Sequence, residues 1–200
     1  VTREVITRIG YLSEEVERAF FEDEDYCMRA QAAGFRCVVV ESAYVFHAEH
    51  QSVKGLPDRE ALFRRNRQWC HRKWGPWRRI AVVRTRPLEP GSDELRRFLE
   101  RVLAWTRRRS FLYCYGPLPK GVSGRDLFRS VGLIPHANVM WHDLAEPCVP
   151  WAATWKILTR QKKRFDAIVV PTPTWAKRMQ WLRPIHRATV LTEFPHDTHL

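Results

Sequence analysis

Four consecutive carboxylates, Glu22-Asp23-Glu24-Asp25, stand between Phe20-Phe21 and the run Tyr26-Cys27-Met28-Arg29-Ala30. Carboxylates take up protons and bind cations. In the first turn of a helix each is stabilised by about 0.3–1 kcal/mol through the free N–H groups and the positive end of the dipole. Tyr26, Ala30 and Ala33 recur at helical spacing and Gly34 suits the position just past a helix end, so the pattern predicts a helix over 22–33 with its acids at the start. Two residues apart is roughly 200° of helix, so Asp23 and Asp25 cannot both face one pocket. A helix terminus keeps such a carboxylate ionised while acidic neighbours push its pKa up, the combination a general base needs.

Beyond Gly34 the apolar residues of 36–40 predict a strand, followed by a second extended run, 43–46, that ends at His47. Alternation puts Tyr44 and Phe46 on one face and Val45 and His47 on the other. The whole pattern, aromatic-Glu-Asp-x-Asp-apolar-Cys-x-Arg-x-x-x-x-Gly and then His, resembles the C-terminal half of the catalytic domain of family 2 glycosyltransferases, which have the GT-A fold. The resemblance implies Asp23 as catalytic base, with Glu22 and Asp25 beside it, and His47 as ligand to a divalent cation, Mn²⁺ or Mg²⁺. His50 and Glu49 are neighbouring alternatives for the ligand. It further implies an inverting, metal-dependent transferase that moves a sugar from a nucleotide-sugar donor to a hydroxyl of a glycan or lipid-linked acceptor, with Arg29, Arg64 and Arg67 available to the donor. The separate metal-binding Asp-x-Asp motif that the resemblance places well upstream of the acidic helix is not among these 200 residues, and residues 1–10 read as the strand and turn that precede that helix. The chain is therefore expected to be a fragment that lacks the nucleotide-binding half of this domain.

Charge divides the chain into three blocks. Residues 1–50 are net −5, residues 51–109 net +11 and residues 110–200 net +6, within a total of +12. The basic block contains Arg64-Arg65-Asn66-Arg67, then Trp69, His71-Arg72-Lys73-Trp74 and Trp77-Arg78-Arg79. Such a run fits a solvated helix over an apolar base, or peripheral contact of residues 64–79 with anionic lipid. No nucleic-acid-binding signature accompanies it, which argues against that partner. The five cysteines form no C-x-x-C pair, so neither a disulfide framework nor a structural zinc site is expected, and a reducing cytoplasm fits, at most peripheral to the inner face of a membrane. No apolar stretch approaches the length of a membrane span.

After the turn-rich residues 87–92, Leu95, Phe98, Leu99 and Val102 give an amphipathic helix, and residues 81–109 read as a basic helical connector. From Ser110 the pattern alternates: strands over 111–115, 137–141, 167–170 and 188–191, helices over 125–131, 151–164 and 174–182. This is the rhythm of a parallel, Rossmann-like sheet. Its ligands belong at the strand carboxyl ends, where the loop Gly116 to Gly124 is a weak phosphate cradle and His142-Asp143 a candidate substrate-binding pair. The stretch 165–179 resembles a segment late in the N-terminal domain of GT-B glycosyltransferases. The expected fold class is thus α/β, with a partial GT-A domain over 1–80, the connector over 81–109 and an incomplete Rossmann-like domain over 110–200. A different function class fits the same residues, a non-catalytic nucleotide-binding module that docks to membrane or RNA.

Overall fold

The computed structural model describes residues 1–17, 19–40, 42–46, 54–160 and 162–194. The protein is α/β and divides into two units, 1–76 and 77–200. Among the described residues no helix is long and apolar enough to cross a membrane.

The first unit is helical: α1 (Arg3–Ile9), α2 (Glu22–Ala32) and α3 (Arg59–Trp74). Most of residues 1–10 is therefore a helix, Arg3–Ile9, and not the expected strand and turn. Glu4 and Arg8 stand at i,i+4, and Gly10, at φ 74°, ends the helix with its N–H donating to the Ile6 carbonyl. The expected strand over 36–40 is corrected as well. Among the described residues neither these nor 43–46 form a strand, and Val38, Val39 and Val40 are 58%, 85% and 57% exposed. A strand needs a neighbour for its N–H and C=O groups, and among the described residues all paired strands fall in the second unit.

The second unit is a five-stranded sheet, parallel throughout. Its elements are β1 (Arg78–Val83), α4 (Asp93–Thr106), β2 (Ser110–Gly116), α5 (Gly124–Ser130), β3 (Val139–Asp143), α6 (Val149–Leu158), β4 (Ala167–Val169), α7 (Pro173–Trp181), α8 (Arg183–His186) and β5 (Thr189–Leu191). The strand order is β3-β2-β1-β4-β5. Residues 81–109 are consequently no connector: they hold half of the central strand and the first helix packed on it. Ile80, Val82, Leu112 and Cys114 point to one face, against Leu95, Leu99 and Val102 of α4 and Leu127 and Phe128 of α5. Ala81, Val83, Tyr115 and Ile168 point to the other, against Ala153 and Ile157 of α6 and Ala176 and Met179 of α7. Each such buried aliphatic side chain contributes about 1.5–3 kcal/mol at most. The alternation of parity in β1 and β2 thus assigns two helices to each face.

Local sequence starts these helices. Ser92 accepts from Leu95 N at the head of α4, and Ser123 and Asp126 close a capping box at α5. Arg109 is buried in the left-handed conformation, its guanidinium 5.3 Å from the Trp77 ring, which packs on Phe111 at 4.8 Å.

Gly124, the first residue of α5, lies under the Trp141 indole so closely that a Cβ would overlap the ring. Gly124→Ala is expected to displace Trp141 from its contact with the α4 face and to lower stability by about 1–3 kcal/mol, the cost of overpacking. Urea unfolding monitored by circular dichroism measures it; an unchanged midpoint would show that the indole moves freely.

Candidate functional site

In the first unit everything turns on Asp25. This carboxylate is fully buried and both of its oxygens are engaged: Arg29 Nε donates at 2.8 Å to Oδ2, and Trp74 Nε1 at 2.9 Å and Lys73 Nζ at 3.0 Å donate to Oδ1. The rest of the Arg29 guanidinium donates to the carbonyls of Ile9 at 2.6 Å and Tyr11 at 2.7 Å. One acid thereby ties α2 to the end of α3 and to the turn after α1. Burial alone would raise its pKa, but hydrogen bonds from Trp74, Arg29 and Lys73, with the Lys73 charge, outweigh burial and hold it below its ordinary value of 3.8.

The chain enters α2 through Phe20 and Phe21, both left-handed at φ 70° and 75°. For non-glycine residues that conformation costs on the order of 1 kcal/mol or more each, and such outliers gather at functional sites. Both rings pack on Phe63 of α3, at centroid distances of 5.4 and 5.2 Å. Asn66, buried on the same helix, donates to the carbonyls of Glu17 at 2.8 Å and Ala19 at 2.6 Å. Asn66 is the residue that sequence reasoning passed over between Arg64 and Arg67. An uncharged amide amid five basic residues was the available signal.

Asp23 lies on the other side of α2 and is exposed, its Oδ1 accepting from Glu24 N at 2.8 Å. With no side-chain cap at Phe21, this carboxylate satisfies one of the free N–H groups of its own first turn. Glu22 is half-buried with Oε2 lacking a partner among the described residues. Of the acids expected at this site, Asp23 is thus presented and Asp25 is built into the frame. Arg29 belongs to that frame; Arg64 and Arg67 are exposed on α3. His47, the expected metal ligand, lies outside the described residues with His50 and Glu49. Among the described residues no three His, Cys, Asp or Glu side chains gather to hold a metal ion. None of the five cysteines is in a disulfide.

In the second unit, His142 and Asp143 are consecutive on β3 and therefore point to opposite faces, so they do not form the pair expected of them. His142 stacks on Tyr115, centroids 4.6 Å apart at 12°, and burial, then Lys156 and Arg160, push its pKa below 6.5, leaving it neutral. Asp143 accepts from Leu118 N at 2.9 Å and fixes the loop after β2. That loop is a poor phosphate cradle. The capping box takes up the N–H groups of Ser123 and Asp126, and the Trp141 indole covers Gly124. The sheet order reverses between β1 and β4, whose carboxyl ends therefore make the crevice in which such sheets bind ligands. Beside it an open cleft of about 460 Å³ is lined by Pro87, Leu88, Pro117, Leu118, Lys120 and Glu146.

Comparison with known proteins adds little to this geometry. No protein-family profile matches the chain, and no solved structure matches it. Among curated proteins it is similar to an uncharacterized protein of Sinorhizobium fredii, y4gI, at 32% identity over 76 residues, 37% of this chain and 8% of that protein. The chain spans a small fraction of the length of that relative.

Asp25→Ala leaves Arg29, Lys73 and Trp74 without their acceptor. It is expected to destabilise the first unit by about 3 kcal/mol, the low end for a broken buried pair, because Arg29 and Lys73 are 20% and 32% exposed. The pH dependence has a defined sign. A carboxyl whose folded pKa is depressed stabilises the protein fully above the unfolded value, here 3.8, and that contribution is lost as pH falls through the folded value. Thermal unfolding midpoints should therefore fall below about pH 4 in the wild type, and the part due to Asp25 should be missing in the variant. Parallel curves for the two proteins would remove Asp25 from this role.

Proposed function

We propose that the protein is an inverting glycosyltransferase that moves a sugar from a nucleotide-sugar to a hydroxyl of a glycan or lipid-linked acceptor, with Asp23 as general base. What carries this reading is the different placement of two acids two residues apart: Asp25 is neutralised inside the frame, whereas Asp23 is held outward at a helix N-terminus behind a strained aromatic turn. In this reading Asp23 takes the proton of the acceptor hydroxyl. The oxygen attacks the anomeric carbon opposite the diphosphate, and the carbon–oxygen bond to the diphosphate breaks with its electron pair on the leaving group. The configuration inverts. In this reading Arg64 and Arg67, exposed on α3, meet the donor phosphates. A bound Mn²⁺ or Mg²⁺ would offset charge on the leaving diphosphate, and the family resemblance makes His47 its ligand.

The second unit is read here as the Rossmann-like N-terminal domain of a GT-B type. Its strand order, reversing beside β1, supports a nucleotide site at the carboxyl ends of β1 and β4. The same order favours a second reading, in which the chain binds a nucleotide without transferring a sugar. A screen of the full-length protein against nucleotide-sugars separates the two.

Asp23→Asn in the full-length protein is expected to lower turnover by at least about 10², a usual general-base contribution, while leaving the donor Kd unchanged. Turnover within a few-fold of wild type in that variant would refute the assignment.

A further inference from the structure

The tryptophans of the second unit are distributed in a way that the proposed reaction does not use. Helix α6 buries Val149, Ala153 and Ile157 on the sheet, at i, i+4 and i+8. Trp151 and Trp155 stand half a turn away and are 77% and 70% exposed. Helix α7 buries Trp175, Ala176 and Met179, and Trp181, two residues beyond Met179, is 89% exposed. The two helices adjoin on one face of the sheet: Trp175 Nε1 donates to Thr154 Oγ1 at 3.3 Å, and both helices supply the same core cluster. Three indoles therefore project from a single helical layer, away from the sheet. Ile185 on α8 joins them at 49% exposure.

The charges on and beside these helices are mostly basic, with the exposed Glu146 just before α6 an exception. Residues 149–190 contain nine lysines and arginines and a single acid, Asp166, which is occupied with the Arg79 N–H at 2.7 Å. Lys156, Lys177, Arg178, Arg183 and Arg187 are exposed on or beside the tryptophan-bearing helices, and an open cleft beside Trp181 is lined by Arg183 and Arg187. The basic run 64–79 differs. There Trp74 is bonded to Asp25, Trp77 is packed on Phe111, and the Lys73 ammonium lies 4.6 Å over Trp69.

We infer that the outer face of α6, α7 and α8 is a docking surface for an anionic lipid bilayer. Indoles settle at the headgroup level, where the ring is in apolar surroundings and the N–H is hydrated, and lysines and arginines around them meet the lipid phosphates. Side chains spread over the outside of two helices are met together by a flat partner. A single-stranded nucleic acid would require them along a basic groove.

The test is co-sedimentation of the 200-residue chain with vesicles of phosphatidylcholine alone and with phosphatidylglycerol added. Binding is expected only where the anionic lipid is present. Trp151→Ser, Trp155→Ser and Trp181→Ser combined, with circular dichroism unchanged, should weaken it at least tenfold. Arg183→Gln with Arg187→Gln should weaken it about 25-fold, each charge near the surface accounting for about fivefold. Arg64→Gln with Arg67→Gln, the same charge removed from α3, should weaken it far less. Equal loss in the α3 pair, retention of binding in the folded tryptophan variant, or sedimentation abolished by an oligonucleotide that the wild type binds through the same tryptophans would overturn the inference.

Discussion

The first unit depends on burying one carboxylate without leaving its charge uncompensated. A lone carboxylate inside a protein is costly, and Asp25 is tolerable there because two cations and an indole N–H converge on it. Those donors come from within α2 and from the end of α3, and Arg29 extends the contact to the carbonyls that follow α1. The entry of α2 is fixed from the other side, by Asn66 on the carbonyls of Glu17 and Ala19 and by Phe63 under the two left-handed phenylalanines. With both ends of this arrangement held, the acids of the first turn are left in one orientation, and Asp23 is the one that faces out.

The second unit reaches the same end by different means. Alternation along β1 and β2 separates two apolar faces, each covered by helices, and caps at Ser92, Ser123 and Thr172 set where those helices begin. Two close approaches determine what its carboxyl edge can hold. Gly116 passes against the Arg84 carbonyl, 2.5 Å from where a Cβ would lie, and Gly124 lies under Trp141. Glycines that resemble a phosphate loop in sequence are here needed for packing.

The parts of this fold legible in the sequence are those written in local periodicity. Helix α2 runs Glu22–Ala32 against an expected 22–33, and the strands after Ser110 fall within a few residues of where alternating apolar runs place them. Strand β1 escaped because its apolar core is only Ile80 to Val83 and arginines precede it, so the basic run masked a central strand. The valines of 38–40 misled in the opposite sense: β-branched residues favour a strand but do not supply its neighbour. At the site, helix geometry correctly separated Asp23 from Asp25 without saying which one faces inward. That choice is made by Lys73 and Trp74, almost fifty positions away, and by the backbone of Phe20 and Phe21, for which no residue type gives a signal.

Carboxyl footprinting tests the central claim most directly. The 200-residue chain would be treated at neutral pH with a water-soluble carbodiimide and an amine, and the modified residues of 20–29 identified by mass spectrometry. Asp23 should label in the native protein, and Asp25 only once denaturant has unfolded the unit. Native labelling of Asp25 as fast as that of Asp23 would contradict the account.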